Sequence, residues 1–213
     1  MTDGSLRRLD FLAGARCLRP SPGTPVIIAP IVCADHGAGI LPEAVRDRPT
    51  VDAEGRRLDV TIEGVVLRRL GPIQVDHRGS LLEVIDARDP FWRDPIVYAY
   101  RFTILPGRIK GWGMHELQTD RYLLASGRLR VVLYDGRRDS PTFEELNQIY
   151  FRDEVPGLLS IPPGVWHADQ NIGDTEAVVI NFPTRAFDRA MPDKYRLDPH
   201  GGEIPFDFAL RDG

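Results

Sequence analysis

One stretch of the chain decides the fold: Gly107-Arg-Ile-Lys-Gly-Trp-Gly113-Met-His115-Glu-Leu-Gln-Thr-Asp120-Arg-Tyr-Leu-Leu-Ala-Ser-Gly127. Glycines stand at both of its ends, and a histidine and an acidic residue lie between them. A second stretch follows downstream, Gly157-Leu-Leu-Ser-Ile-Pro162-Pro-Gly164-Val-Trp-His167-Ala-Asp-Gln-Asn171. Its proline and glycine residues predict a tight turn that leads into a strand carrying His167.

The two stretches resemble the two sequence motifs of the cupin superfamily. In the first motif a glycine precedes His-x-His, an acidic residue and a final glycine. His115 matches the second histidine of that pattern and Asp120 the acidic residue, whereas the first histidine position is Gly113. The second motif, Pro-x-Gly-x-x-His-x-x-x-Asn, agrees from Pro162 to Asn171. The resemblance implies an all-β fold, a cupin-type antiparallel β-barrel (jelly roll) with His167 pointing into it.

The rest of the chain favours the same fold class. Runs rich in β-branched and aromatic residues occur at 60–67, 81–85, 96–104, 129–134 and 177–182, and Pro-Gly, Asp-Gly and Gly-Asp pairs lie between many of them. Helical periodicity is nearly absent, with room for a turn or two at 142–148. We therefore expect a barrel domain at 62–213 and an N-terminal extension or arm at 1–61.

Composition and charge narrow the range of partners. The formal net charge of −4 disfavours nucleic acid and anionic membranes, because neither polyanion is attracted to such a surface. Cys17 and Cys33 make neither a disulfide framework nor a cluster with metal-ligand spacing. No signal-peptide pattern opens the chain, and no apolar run approaches ~18 residues. A cytoplasmic, soluble protein is expected.

A metal site is one functional hypothesis. His115, Asp120 and His167 would supply two imidazoles and one carboxylate, a donor set that suits divalent Fe, Mn, Ni or Zn. The alternative is that these residues line a pocket without binding metal.

A closer resemblance comes from the residues around the motifs. The segments Asp76-His-Arg78-Gly79-Ser-Leu-Leu-Glu83, Asp135-Gly-Arg137-Arg-Asp-Ser140-Pro-Thr142-Phe143 and Leu159-Ser-Ile-Pro162-Pro-Gly164-Val-Trp-His167 resemble segments of dTDP-4-dehydrorhamnose 3,5-epimerases. Tyr195-Arg-Leu-Asp198 begins a segment that is similar to the end of that family's chains. The resemblance implies an isomerase that needs no cofactor, acts on a dTDP-linked 4-keto-6-deoxy sugar in carbohydrate biosynthesis and forms a homodimer.

The same resemblance exposes departures at the catalytic positions. The family's histidine base falls on Gly113, the lysine that supports the enolate oxygen on Asp120, and the tyrosine acid near Asn181. Glycine cannot move a proton, so we expect His115 to serve as a relocated base. It lies two residues further along the same strand and faces the same side, because side chains alternate along a strand. Tyr122 and Tyr134 are the candidate acids, and Asn181 can donate a hydrogen bond.

Substrate-binding residues are predicted from the same family resemblance and from the charges of the side chains. Lys110 replaces an arginine that contacts phosphate, which keeps the charge but not the bidentate fork. Arg78 and Glu83 match residues that reach across the family's dimer to the nucleotide. Arg101 is a further candidate for an anion cradle, and His167 for shaping the sugar site.

Three functions remain open on this basis. The first is an epimerase or isomerase of a nucleotide sugar that uses His115 as base. The second is a metal-dependent cupin enzyme acting on another small metabolite. The third is a catalytically silent relative that binds a nucleotide sugar. We favour the first, because the resemblance extends over the whole barrel domain.

Overall fold

A computed structural model describes residues 49–53, 58 and 60–210. Most of the predicted extension at 1–61, including both cysteines and His36, therefore lies outside the described residues. The proposed domain boundary stays a prediction. Within the described part of the chain, no helix is long and apolar enough to cross a membrane.

The described residues form β-strands and one short 3₁₀ helix, and all strand pairs are antiparallel. This confirms the predicted all-β antiparallel fold. The strands are β1 (Val66–Arg69), β2 (Gln74–Asp76), β3 (Gly79–Leu81), β4 (Tyr100–Ile104), β5 (Ile109–Met114), β6 (Asp120–Ser126), β7 (Arg128–Asp135), β8 (Leu146–Arg152), β9 (Gly157–Ile161), β10 (Val165–Asn171), β11 (Ala177–Asn181) and β12 (Tyr195–Arg196). The 3₁₀ helix is Pro90–Trp92.

Two five-stranded sheets enclose the core. One has the order β1-β9-β6-β11-β4 and the other β12-β5-β10-β7-β8, while β2 and β3 form a separate hairpin. The main apolar cluster draws on both sheets, with Leu124 of β6 and Val179 of β11 packing with Leu133 of β7 and Ile149 of β8. The two motif stretches supply β5, β6, β9 and β10, so they bring strands of both sheets together.

A second apolar cluster covers the outer face of the β5-β10-β7 layer. Trp112 and Val132 pack there against Ile204 and Phe208 of the C-terminal segment, which is residues 182–210, following β11. The guanidinium of Arg130 donates hydrogen bonds to Gln170 and to the carbonyl of Phe208. Because both faces of this layer are covered, β7 is buried along almost its whole length.

Several predicted strands are shorter in the structure. The run at 60–67 forms a strand only from Val66, because Gly64 adopts a left-handed φ of 80° and turns the chain. Of the run at 81–85 only Leu81 is in a strand, and the run at 96–104 forms a strand from Tyr100. The segment at 142–148 is a turn that leads into β8 rather than a helical turn.

The turn between β7 and β8 is organised by the buried carboxylate of Asp135. It accepts hydrogen bonds from the Arg137 side chain at 2.8 Å, Ser140 Oγ at 2.6 Å and Thr142 Oγ1 at 2.7 Å. Burial alone would raise the pKa of Asp135, but these donors outweigh burial and hold the pKa well below its usual range. The ionised carboxylate therefore stabilises the fold.

The contribution of this carboxylate to the free energy of unfolding should depend on pH. At pH 7 we expect Asp135→Asn to lower the free energy of unfolding by about 3 kcal/mol, because a buried charged hydrogen-bond acceptor is lost. Since the folded-state pKa is depressed, the contribution is complete above the unfolded value of about 3.9, shrinks as pH falls below that value, and is lost once pH has fallen through the folded value. Urea unfolding of both proteins at pH 7 and pH 3 checks this.

Asp86→Asn is the matched control. Asp86 makes the same Asp-x-Arg contact with Arg88, but on the surface, so its replacement should change stability far less. An equal loss for both variants, or a deficit of Asp135→Asn that does not shrink at pH 3, would contradict this account.

Candidate active site

Two adjoining cavities open inside the barrel. The first, of about 400 Å³, is lined among others by Lys110, Tyr122, His167 and Asp169. The second, of about 560 Å³, is lined among others by His115 and Gln118 together with the aromatic and proline residues Tyr98, Phe187, Pro183 and Pro192. Tyr100, Lys194 and Arg196 line both. The residues that carry chemistry lie where the cavities meet.

The two motif histidines lie side by side at this junction. His167 of β10 pairs with Gly113 of β5, and His115 lies just beyond the end of β5. The imidazole rings stack with centroids 5.8 Å apart and planes 20° apart, and both rings are buried. Their Nε2 atoms lie 3.3 Å (His115) and 3.7 Å (His167) from Oδ2 of Asp120.

Asp120 is a buried carboxylate held by side-chain amides. Its Oδ1 accepts hydrogen bonds from Gln118 Nε2 at 2.8 Å and Asn181 Nδ2 at 2.9 Å. Its Oδ2 has no hydrogen-bond partner among the described residues and faces the two imidazoles. Burial alone would raise the pKa of Asp120, but its polar surroundings, among them the Asn181 amide that donates to Oδ1, lower it more, so the net shift is downward.

Lys194 completes the cluster from the C-terminal segment. Its Nζ lies 3.1 Å from Nε2 of His115 and 3.3 Å from Nε2 of His167. The Nδ1 atoms of these two rings face the carbonyl oxygens of Asp193 and Val165 respectively. Carbonyl oxygens only accept, so each Nδ1 carries the hydrogen and each Nε2 offers a lone pair to the ammonium.

The charges of the cluster are consistent with this arrangement. Burial and the charge of Lys194 lower the pKa of His167 to about 3, so that its ring is neutral. Burial also lowers the pKa of Lys194, while the carboxylates of Asp120 and Asp169 oppose that shift. The Lys194 ammonium is therefore held between two imidazoles, and the carboxylates of Asp120 and Asp169 attract it electrostatically.

Gly113 provides the space that the ammonium needs. A β-carbon at position 113 would lie 2.5 Å from Nζ and 2.8 Å from Cε of Lys194, and 3.3 Å from Nε2 of His167. The first cupin histidine position is thus filled by a side chain from elsewhere in the chain.

Asp193 fixes the segment that delivers Lys194. Its carboxylate accepts backbone hydrogen bonds from Glu116, Leu117 and Gln118 at 2.8, 2.9 and 3.1 Å. Next along the chain, β12 pairs with β5, Tyr195 opposite Met114 and Arg196 opposite Gly113. The loop after His115 and the segment that carries Lys194 are therefore tied together.

Groups whose pKa is raised surround the same junction. Burial raises the pKa of Tyr100 to about 12 and that of Tyr122 well above its usual value. Burial raises the pKa of Asp169 to about 7, with a further contribution from the charge of Asp120. The hydroxyl of Tyr100 accepts a hydrogen bond from Asn181 Nδ2 at 2.9 Å. These groups can donate protons or hydrogen bonds to a bound ligand.

The predicted site residues divide into two groups. His115, Asp120, His167 and Asn181 come together as described above, and Tyr122 and Lys110 line the first cavity. Tyr134 instead packs on the outer face of the sheet with the Trp112 cluster, so the structure gives no geometric support for it as an acid. The side chains of Arg78, Glu83 and Arg101 are exposed and line neither cavity.

Several residues of the site went unpredicted, among them Lys194, Tyr100, Asp169 and Arg196. Asp169 could have been predicted, because it follows His167 by two residues and side chains two positions apart on a strand point to the same face. Lys194 was harder to predict. It is one of only two lysines in the sequence, and it directly precedes Tyr195, where the segment that resembles the family begins.

The three predicted metal ligands converge, with ligand atoms within 4.8 Å of one another. A zinc ion would need both Nε2 atoms at about 2.0–2.1 Å, yet both lone pairs point at Nζ of Lys194. A divalent ion here would lie beside an ammonium in a buried site, where like charges repel strongly. With Lys194 in this position the residues do not fit a divalent metal, and the metal alternative requires Lys194 to move away.

Comparison with known proteins identifies similar chains, although no protein-family model matches. The chain is 39% identical over 136 residues to the spore coat polysaccharide biosynthesis protein SpsL of Bacillus subtilis, covering 64% of this chain and 89% of the relative. It is 35% identical over 127 residues to the probable low-salt glycan biosynthesis epimerase Agl13 of Haloferax volcanii, covering 59% of this chain and 81% of the relative.

Solved structures of sugar isomerases and epimerases are also similar to this chain. A dTDP sugar isomerase from Desulfovibrio desulfuricans matches with a TM-score of 0.65 and 32% identity, covering 71% of this chain and 94% of that one. Crystal structures of dTDP-4-dehydrorhamnose 3,5-epimerases share the fold as well. The predicted cupin jelly roll is thereby confirmed.

The contact between Lys194 and the histidines leads to a test with metal alone. Lys194→Met should bind Zn²⁺ at least about tenfold more tightly than the unaltered protein, because two imidazole lone pairs and Asp120 Oδ2 become available to one ion. Isothermal titration calorimetry with ZnCl₂ measures the affinity. The double variant Lys194→Met/Asp120→Asn should lose the gain, and equal zinc affinity with and without Lys194 would contradict the assignment.

Proposed function

Because the chain belongs to the family of cupin sugar epimerases that includes the dTDP-4-dehydrorhamnose 3,5-epimerases, we propose that it epimerises or isomerises a dTDP-linked 4-keto-6-deoxy sugar. The names of its relatives point to glycan and polysaccharide biosynthesis, and we assign the protein to that kind of pathway in the cytoplasm. The observation that carries the proposal is the buried His115, whose Nε2 lone pair contacts Lys194 and lies at the wall of a ligand-sized cavity.

His115 is the proposed base. A carbon next to the 4-keto group loses its proton to Nε2, the C–H electron pair forms a carbon–carbon double bond, and the carbonyl π pair moves to oxygen as an enolate. The contact of Nδ1 with the carbonyl of Asp193 keeps the ring in the tautomer that this step requires. The buried position of His115 also keeps bulk water from the reacting carbon.

A tyrosine returns the proton. Tyr122 lines the first cavity, and its raised pKa keeps the hydroxyl protonated and ready to donate. Tyr100 lines both cavities and is a second candidate. Asn181 donates to both Tyr100 and Asp120, so its proposed role is to orient these groups rather than to transfer a proton.

The nucleotide would be held by positive charge and aromatic surface. Lys110 and Arg196 line the first cavity, and Arg196 also reaches the second, where Tyr98 and Phe187 offer surfaces for a base or sugar ring. His167 is proposed to shape the sugar site through its contact with Lys194. No step of this chemistry uses a cofactor.

A second copy of the chain would complete the nucleotide site. The β2–β3 hairpin is exposed throughout, and Val75 and Leu81 leave 76% and 56% of their surface open. Exposed apolar side chains on a projecting hairpin suit burial against a partner. We propose a homodimer in which this hairpin carries Arg78, with Glu83 just after it, to the partner's nucleotide site; Arg101 remains a candidate for anion contact.

Deuterium exchange tests the proposed activity. Incubated with dTDP-4-keto-6-deoxyglucose in deuterated water, the protein should incorporate deuterium at C3, C5 or both, and mass spectrometry follows the gain. His115→Ala should slow incorporation at least about 100-fold, because the general base is lost. EDTA should have no effect.

His200→Ala is the control, since it removes an exposed histidine outside both cavities. Exchange no faster than in an enzyme-free sample would rule out this activity on this substrate. Binding of the sugar nucleotide without exchange would instead favour a catalytically silent relative.

The dimer can be tested by altering the hairpin. Val75→Glu would introduce a charge into the proposed apolar interface, so we expect monomers and weaker dTDP binding. Light scattering after size-exclusion chromatography measures the mass, and Val155→Glu, on an exposed turn outside the hairpin, is the matched control. A monomeric unaltered protein, or a Val75→Glu dimer with normal dTDP affinity, would contradict the proposal.

A further inference from the structure

We propose that Lys194 is a catalytic residue of this chain, whose ammonium donates a hydrogen bond to the 4-keto oxygen of the sugar and stabilises the enolate. This inference deepens the proposed function and rests on it. It assigns the role to a residue of the C-terminal segment that matches none of the catalytic positions identified from the sequence.

The location of the ammonium supports this role. Nζ of Lys194 lies 2.5 Å from where the β-carbon of a side chain at position 113 would be, and it contacts His115, the proposed base, at 3.1 Å. Lys194 also lines both cavities, so a ligand in either can reach it. A base and a cation within hydrogen-bond distance of each other are the two groups that removal of a proton beside a carbonyl requires.

The balance of charge in the site also supports this role. In this chain the position of the family's enolate-supporting lysine is a carboxylate, Asp120, which an enolate oxygen would avoid. Asp120 and Asp169 both attract the Lys194 ammonium electrostatically. The positive charge is therefore still present in the site, although it comes from another part of the chain.

The ammonium of Lys194 also has unused hydrogen-bonding capacity. It has three N–H donors, and the structure gives it two acceptors, the Nε2 atoms of His115 and His167. The third donor has no acceptor within the described ranges and is available to a ligand oxygen. The site is buried, where such a hydrogen bond is stronger than in water.

As the C–H bond breaks, the proton goes to Nε2 of His115, the electron pair forms the carbon–carbon double bond, and the carbonyl π pair becomes a lone pair on oxygen. Lys194 shifts its hydrogen bond from His115 to this oxygen, which frees Nε2 for the proton. Return of a proton from a tyrosine to the opposite face reverses the electron movement and completes the inversion. His115 then releases its proton to solvent, and the tyrosinate takes one up from solvent.

The test compares the chain's only two lysines, both of which line the first cavity. Lys194→Met keeps the length of the side chain and removes the donor. Deuterium exchange at saturating dTDP-4-keto-6-deoxyglucose should fall at least about 100-fold, with dTDP affinity within about threefold of normal. Lys110→Met should show the opposite pattern, with its main effect on dTDP affinity.

A second variant keeps every reacting side chain. Gly113→Ala would push the ammonium from its position, because the new methyl group would lie 2.5 Å from Nζ. Exchange should again fall while the thermal melting temperature stays close to normal. Exchange at the normal rate in a folded Lys194→Met protein would overturn the inference and leave the proposed function intact.

A binding measurement separates failure of the inference from failure of the function. If the unaltered protein shows no exchange, the proposed activity on this substrate fails. The contact between Lys194 and the sugar is then tested by ligand affinity. Lys194→Met should then still lose about fivefold in affinity for the 4-keto sugar nucleotide relative to dTDP alone. Equal losses for both ligands, or none, would overturn the contact between Lys194 and the sugar oxygen.

Discussion

The buried carboxylate of Asp120 imposes the constraint on which the site depends. A carboxylate that is 1% exposed needs neighbouring donors or positive charge, because removing an unpaired charge from water costs several kcal/mol. Gln118 and Asn181 satisfy one oxygen, and the other faces His115 and His167. Lys194 supplies the nearby positive charge, so the Asp120 side chain and the path of the C-terminal segment are linked.

That segment connects the core to the site. After Lys194, β12 pairs with β5, and the chain continues across the outer face of the sheet, where Ile204 and Phe208 pack on Trp112. The packing of apolar residues on the outside of the barrel thus holds an ammonium on the inside. A cavity next to that ammonium, with a histidine base and neutral tyrosines around it, suits a carbonyl compound that forms an enolate.

Much of this could be predicted from the sequence, because local patterns determine it. The turn at Pro162 and Gly164 fixes where β10 begins, and strand alternation then turns His167 inwards. Alternation also explains why Tyr134 is not in the site: Val131 and Leu133 face the inner core, so Val132 and Tyr134 face outwards. Lys194 could not be found this way, since it lies next to a two-residue strand whose pairing depends on the folded barrel.

One lysine ammonium lies between two imidazoles, and NMR of ¹⁵N-labelled lysine can observe it separately, because the chain has only two lysines. We expect one side-chain ammonium signal that exchanges slowly with water, disappears in Lys194→Met and shifts in His115→Ala. Lys110, on the exposed edge of the first cavity, should exchange rapidly. Equally rapid exchange of both ammonium groups with water would contradict this placement of Lys194.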